Sequence, residues 1–94
     1  TIQGALYRVI QESLTNVQRH GLDATEVKID LTATNEQVAL TISNNGRVSY
    51  GSATGFGLIG MAERIQLLNG QFKAGPQLDG GWQVEVRIPL EEPK

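Results

Sequence analysis

Apolar residues recur along this chain in two different rhythms, and the rhythms divide it into helices and strands. Over Leu6 to Gly21, the residues Leu6, Val9, Ile10, Leu14 and Val17 fall within one arc at about 100° per residue, which predicts an amphipathic helix with that arc on the core. Val27, Ile29, Leu31 and Ala33 then alternate with Lys28, Asp30 and Thr32, the period of a half-buried strand. Thr34 to Gln37 supplies turn residues, and Val38, Leu40 and Ile42 alternate with Ala39, Thr41 and Ser43, so the two runs predict a hairpin with one wet face.

From Ser43 to Gly57 periodicity lapses into Asn, Gly and Ser, which reads as a loop. Helical spacing returns with Leu58, Met61, Ala62, Ile65 and Leu68, stopped by Asn69-Gly70. Gln71 to Ala74 is a short strand candidate and Gly75 to Gly81 a turn region. Trp82, Val84, Val86 and Ile88 alternate until Pro89, and Glu91 to Lys94 reads as a tail. The pattern is that of an α/β chain in two layers, with a mainly antiparallel sheet and both helices on one face.

Composition narrows the class. Ninety-four residues suit one domain, and 39% hydrophobic with 19% charged residues is the balance of a soluble globular chain. A net charge of −2 supplies no broad basic surface, so nucleic acid is not an expected partner. The absence of cysteine excludes disulfides and thiolate metal sites. No apolar run approaches membrane-spanning length, and the chain opens on Thr1 without a basic-then-apolar leader. Residues 1–94 are therefore read as a single domain excised from a longer protein, without direct membrane contact.

Three stretches carry candidate chemistry. On the first helix, Glu12 and Asn16 stack one turn apart at the edge of the apolar arc, and Arg19 and His20 extend that edge. An amide oxygen suits a hard divalent cation, and a carboxylate one turn earlier can orient or deprotonate water; the same spacing also describes an ordinary solvated pair. Gly55-Phe56-Gly57-Leu58-Ile59-Gly60 opens the second helix, where unpaired N–H groups favour anions. No buried strand precedes it, which argues against the dinucleotide fingerprint, and alone the pattern also suits a flexible linker with a glycine-rich helix entry. Asn44-Asn45-Gly46 ends a strand, where its amides can read a planar heterocycle or simply turn the chain.

In this order the motifs resemble the ATP-binding catalytic domain of sensor histidine kinases, most of all the nitrate and hexose-phosphate sensors, with their QE-L-TN---H helix and G-x-G-L-x-G-M box. The resemblance covers nearly the whole chain. It implies the Bergerat-type sandwich shared with gyrase and MutL, with ATP between helices and sheet beneath a lid.

By position, the resemblance would have Asn16 coordinate Mg2+ on the phosphates, Glu12 assist proton removal, and Arg19 and His20 approach phosphates or ribose. Gly55, Gly57, Leu58 and Gly60 would hold phosphates, and Asn44, with Gly46, would read adenine. Met61 would line the base or belong to the core. Arg47 to Thr54 would form a short lid with Arg47 as its cation. The implied activity is transfer of the γ-phosphoryl group of ATP to a histidine on a separate dimerisation domain, in the cytoplasm, with a response regulator as the indirect partner. A non-catalytic interaction module and an ATPase or serine kinase of the same superfamily are the alternatives. The family usually has Asp where Asn44 stands, a second glycine where Val48 stands, and Thr after the paired glycines, where this chain has Gly80-Gly81-Trp82.

Overall fold

Thr1 starts the first helix. In the computed structural model, which describes residues 1–48, 58–78 and 80–90, its hydroxyl accepts from the Gly4 amide at 3.0 Å and its carbonyl accepts from Ala5 at 3.0 Å. This N-cap satisfies donors that a helix start leaves open. Helix α1 then runs over Ile2–His20, one turn earlier than the periodicity alone marks. Its buried line is Ala5, Leu6, Val9 and Ser13.

Leu14, expected on that line, is 39% exposed. It falls about 100° further round the helix than Ser13, above the edge strand of the sheet.

The elements follow in the order β1 (Gly21–Leu22), β2 (Val27–Ala33), β3 (Gln37–Asn44), β4 (Arg47–Val48), α2 (Leu58–Gln66), β5 (Gln71–Pro76) and β6 (Trp82–Pro89). The main sheet is four-stranded and antiparallel, in the order β2-β3-β6-β5. β1 and β4 form a separate two-stranded ladder, Gly21 opposite Val48 and Leu22 opposite Arg47. Arg47 and Val48, read from sequence as loop, are thus paired backbone. Residues 49–57, which hold the rest of the expected lid, lie outside the described residues.

Register stacks the core-facing residues in rows across the sheet. Leu31, Leu40, Val86 and Phe72 form one row; Ile29, Ile42, Val84 and Ala74 form the next; Val27, Asn44, Trp82 and Pro76 form the end row. Leu40 and Val86 are fully enclosed, with Val9 of α1 and Met61 and Ile65 of α2 packed in the same cluster. Burying each such side chain contributes about 1.5–3 kcal/mol.

The expectation of a half-buried β2 fails. All seven of its residues are exposed, and its core-facing side chains open progressively, Val27 at 36%, Ile29 at 45% and Leu31 at 55%. β2 is an edge strand, and the cover that α1 gives it ends near Val27, where Leu14 and Val17 stand beside it. The periodicity of a strand says which residues share a face, not whether a helix lies over that face.

Helix α2 ends in a Schellman motif. Gly70 N–H donates to the Ile65 carbonyl at 2.9 Å, Asn69 N–H donates to Gln66 at 2.9 Å, and Asn69 takes a left-handed φ of 62°. A Cβ on Gly70 would lie 2.7 Å from Ile65 Cγ2 and 2.8 Å from the Arg87 carbonyl, so the helix end seats directly on β6. From there α2 runs antiparallel to β5, which directs its N-terminus toward the Asn44 end of the sheet. α1 is oriented to match. Its first turn meets the end of α2, where Thr1, Arg8, Arg64 and Leu68 share a depression, so its second half reaches the Asn44 end too.

Candidate functional site at one end of the sheet

The sheet's core-facing rows are apolar until the last, where Asn44 stands between Val27 and Trp82. The side chain is buried, and its Oδ1 accepts from the Gly46 amide at 2.8 Å. Its neighbour Asn45 points elsewhere: Oδ1 accepts from the amides of Thr25 and Glu26 at 2.9 and 3.0 Å, and Nδ2 donates to Thr25 Oγ1 at 2.9 Å. One asparagine faces the site, and the other fastens the connection between β1 and β2.

Glu12 and Asn16, on the second half of α1, are both half-buried, at the rim where a side chain keeps contact with packing and with solvent. Arg19 is exposed one turn later; the His20 side chain lies outside the described residues. Because β1 follows α1 without a break, its ladder with β4 draws Arg47 and Val48 to the same end. Arg47 Nη2 meets Asp23 Oδ2 at 2.7 Å, with both side chains about three-quarters exposed. Such a pair contributes about 0–1 kcal/mol.

Leu58 is the first residue of α2 and packs on the core; Gly60 is exposed, with open space where a Cβ would sit. The first-turn amides of a helix lack intrahelical partners and carry its positive dipole end, which favours anions. Gly55 and Gly57 lie outside the described residues. Met61 is 1% exposed and occupies the core beneath that first turn.

Two further residues pack at this end, Gly81 of the paired glycines and Ser13, which the chain pattern did not single out. Gly81 lies against the backbone of Asn44: a Cβ there would overlap the Asn44 carbonyl oxygen. Ser13 is 4% exposed, with a hydroxyl that has no hydrogen-bond partner among the described residues. Its signal was available in the sequence, since a polar residue stands four positions after Val9 and four before Val17, inside the apolar arc.

Among the described residues, no three His, Asp or Glu side chains gather to hold a metal ion. Asn16, half-buried at the rim of α1, carries an amide oxygen, a donor type that a hard cation accepts.

Comparison with known proteins gives the same direction. Residues 1–92 match the family described as histidine kinase-, DNA gyrase B-, and HSP90-like ATPase. The chain is 32% identical to the sensor histidine kinase LnrJ of Bacillus subtilis over 94 residues, which is all of this chain and 23% of that protein. It is 32% identical to the oxygen sensor histidine kinase NreB of Staphylococcus carnosus, across 97% of this chain and 27% of that protein. To the histidine-protein kinase/phosphatase DegS of Bacillus subtilis it is 29% identical, across 92% of this chain and 24% of that protein. The chain thus spans about a quarter of the length of these relatives.

Proposed function

The chain belongs to the histidine kinase-, DNA gyrase B-, and HSP90-like ATPase family, and on that premise we propose that it is the catalytic domain that passes the γ-phosphoryl group of ATP to a histidine on a separate dimerisation domain. The observation that carries the reading is the convergence at one end of the sandwich of three unlike parts: the Glu12–Asn16 edge of α1, the buried Asn44 of β3, and the start of α2.

Each part has one task. Asn44 and Gly46, at the closed end of the sheet, take the base. The first-turn amides of α2, with Gly55, Gly57, Leu58 and Gly60, hold the phosphates. Asn16 offers its amide oxygen to Mg2+, which supplies charge neutralisation on the phosphate oxygens when bound. Arg19 and His20 lie along the same helix edge, within the sequence span that faces ribose or phosphates. Met61, enclosed in the core, supports the floor of the base pocket.

Transfer forms a nitrogen–phosphorus bond on the accepting imidazole and breaks the bond between the γ-phosphorus and the β–γ bridging oxygen, releasing ADP. Glu12 takes up the proton that the imidazole gives up. ATP as donor puts the reaction in the cytoplasm, and a response regulator is the downstream acceptor. His20 is the single histidine of the chain, and it stands in the nucleotide-side helix, so the acceptor is supplied by another domain.

Calorimetric titration with ADP, with and without Mg2+, and incubation with γ-labelled ATP test this. Heat on ADP binding that increases with Mg2+, no label on the chain alone, and label on an added histidine-bearing dimerisation domain are the expected results. Absence of heat with every adenine nucleotide would overturn the reading, and label on the isolated chain would overturn the separate acceptor.

A further inference from the structure

Ser13 occupies a position that helical periodicity assigns to an apolar side chain, on the face of α1 turned to the sheet, and its hydroxyl has no partner among the described residues. A serine inside a helix normally has a partner within reach, the carbonyl four residues back. Thr15 takes that option, donating from Oγ1 to the Gln11 carbonyl at 3.0 Å. Ser13 does not. An enclosed hydroxyl with no partner is destabilising, and in folded proteins such groups are few. A ligand group that completes it accounts for the position.

The place of Ser13 says which ligand group. Gln11, Leu14, Thr15, Val17 and Gln18 line one depression with Val27, and Val27 is the register partner of Asn44. The turn of α1 that carries Ser13 therefore lies beside Val27, at the edge of the end row in which Asn44 is the polar member.

Asn44 itself is half committed. The Gly46 amide is a donor, so the atom it meets at 2.8 Å is the carboxamide oxygen. The other polar atom of the carboxamide is Nδ2, and it can only donate. A carboxylate in this place would offer a second acceptor; the asparagine does not. A hydroxyl can accept.

The outer edge of adenine sets an acceptor, N1, beside a donor, the 6-amino group. We propose that Ser13 and Asn44 read this edge together, Nδ2 of Asn44 donating to N1 and Oγ of Ser13 accepting from the 6-amino group. The assignment rests on the nucleotide reading above and makes Ser13 a specificity-determining residue of that site. Hypoxanthine is disfavoured by the same pair. Its N1–H confronts the Asn44 donor, and although the Ser13 hydroxyl can rotate to meet a 6-oxo group, Nδ2 has no acceptor to offer.

The test uses Ser13→Ala and Ser13→Cys in the whole chain, with binding of ADP, IDP and the 5′-diphosphate of purine riboside, which lacks the 6-amino group. The unaltered chain is expected to bind ADP most tightly. Either substitution should weaken ADP by about tenfold, the worth of one such hydrogen bond, and leave the purine riboside diphosphate within about twofold. The melting temperature without ligand should hold or rise in Ser13→Ala, because an unsatisfied hydroxyl has gone. An equal loss for ADP and the 6-unsubstituted nucleotide would assign Ser13 to packing and overturn the proposal, as would unchanged ADP affinity. Failure of the unaltered chain to bind any of the three overturns the nucleotide reading itself, and this proposal with it.

Discussion

Asn44 and Asn45 are adjacent in the chain, yet their carboxamides serve opposite sides of one turn: Asn44 is enclosed and accepts from Gly46, while Asn45 reaches out to Thr25 and Glu26. Asn44 is the last residue of β3 and faces the core, Asn45 is the first beyond the strand, and the separation has measurable consequences.

Asn45→Ala removes three hydrogen bonds at an exposed site and should destabilise the chain by about 1–2 kcal/mol, with nucleotide affinity unchanged. Asn44→Ala leaves the buried Gly46 N–H unsatisfied, so it should cost about 1–3 kcal/mol of stability and also weaken nucleotide binding. Position at a strand end suggests a residue that can be removed harmlessly; the enclosed Gly46 amide removes that expectation. Denaturant unfolding and ADP titration of both variants check the contrast, and loss of ADP affinity in Asn45→Ala would contradict it.

Gly81 is required by space. A Cβ would collide with the Asn44 carbonyl oxygen, a backbone atom that cannot swing aside, and would come within 3.2 Å of Gln77 Oε1. Gly81→Ala should cost roughly 2–4 kcal/mol, at the severe end of overpacking, by pushing the β6 edge away from Asn44. Gly75 has nothing within 4 Å of its Cβ position, so Gly75→Ala should be neutral or stabilise by up to about 1 kcal/mol. Comparing the two melting temperatures decides it, since similar values would remove the steric argument.

Asn69 closes α2 with a φ of 62°. Asn69→Gly should match or exceed the unaltered stability, because glycine adopts that conformation without strain. Asn69→Ala should lose about 1 kcal/mol. Thermal unfolding of the pair reads the difference directly, and an alanine variant as stable as the glycine one would show that the helix end had rearranged.

The order of elements was legible in the sequence because each local period is set by backbone geometry. Val84, Val86 and Ile88 alternate whether or not the strand has neighbours, and Met61 and Ile65 share a helix face wherever the helix goes. The sheet with helices on one face followed from that, as did the rim position of Glu12 and Asn16. The family was legible for a different reason: QE-L-TN, Asn-Asn-Gly and the glycine box stand in one order along the chain.

What tertiary structure decided was coverage. Leu14, Val27, Ile29 and Leu31 have the pattern of core residues and are exposed, because β2 lies at the edge and α1 shelters only its start. No local period encodes the footprint of a helix 10–20 residues away. Closure at the end row was decided the same way. That Asn44 spends its oxygen on Gly46, that Gly81 presses on its carbonyl, and that Ser13 is enclosed with no partner among the described residues all depend on how β3, β6 and α1 pack. Such contacts join residues far apart in the chain, and only packing in three dimensions determines which donor finds an acceptor and which does not.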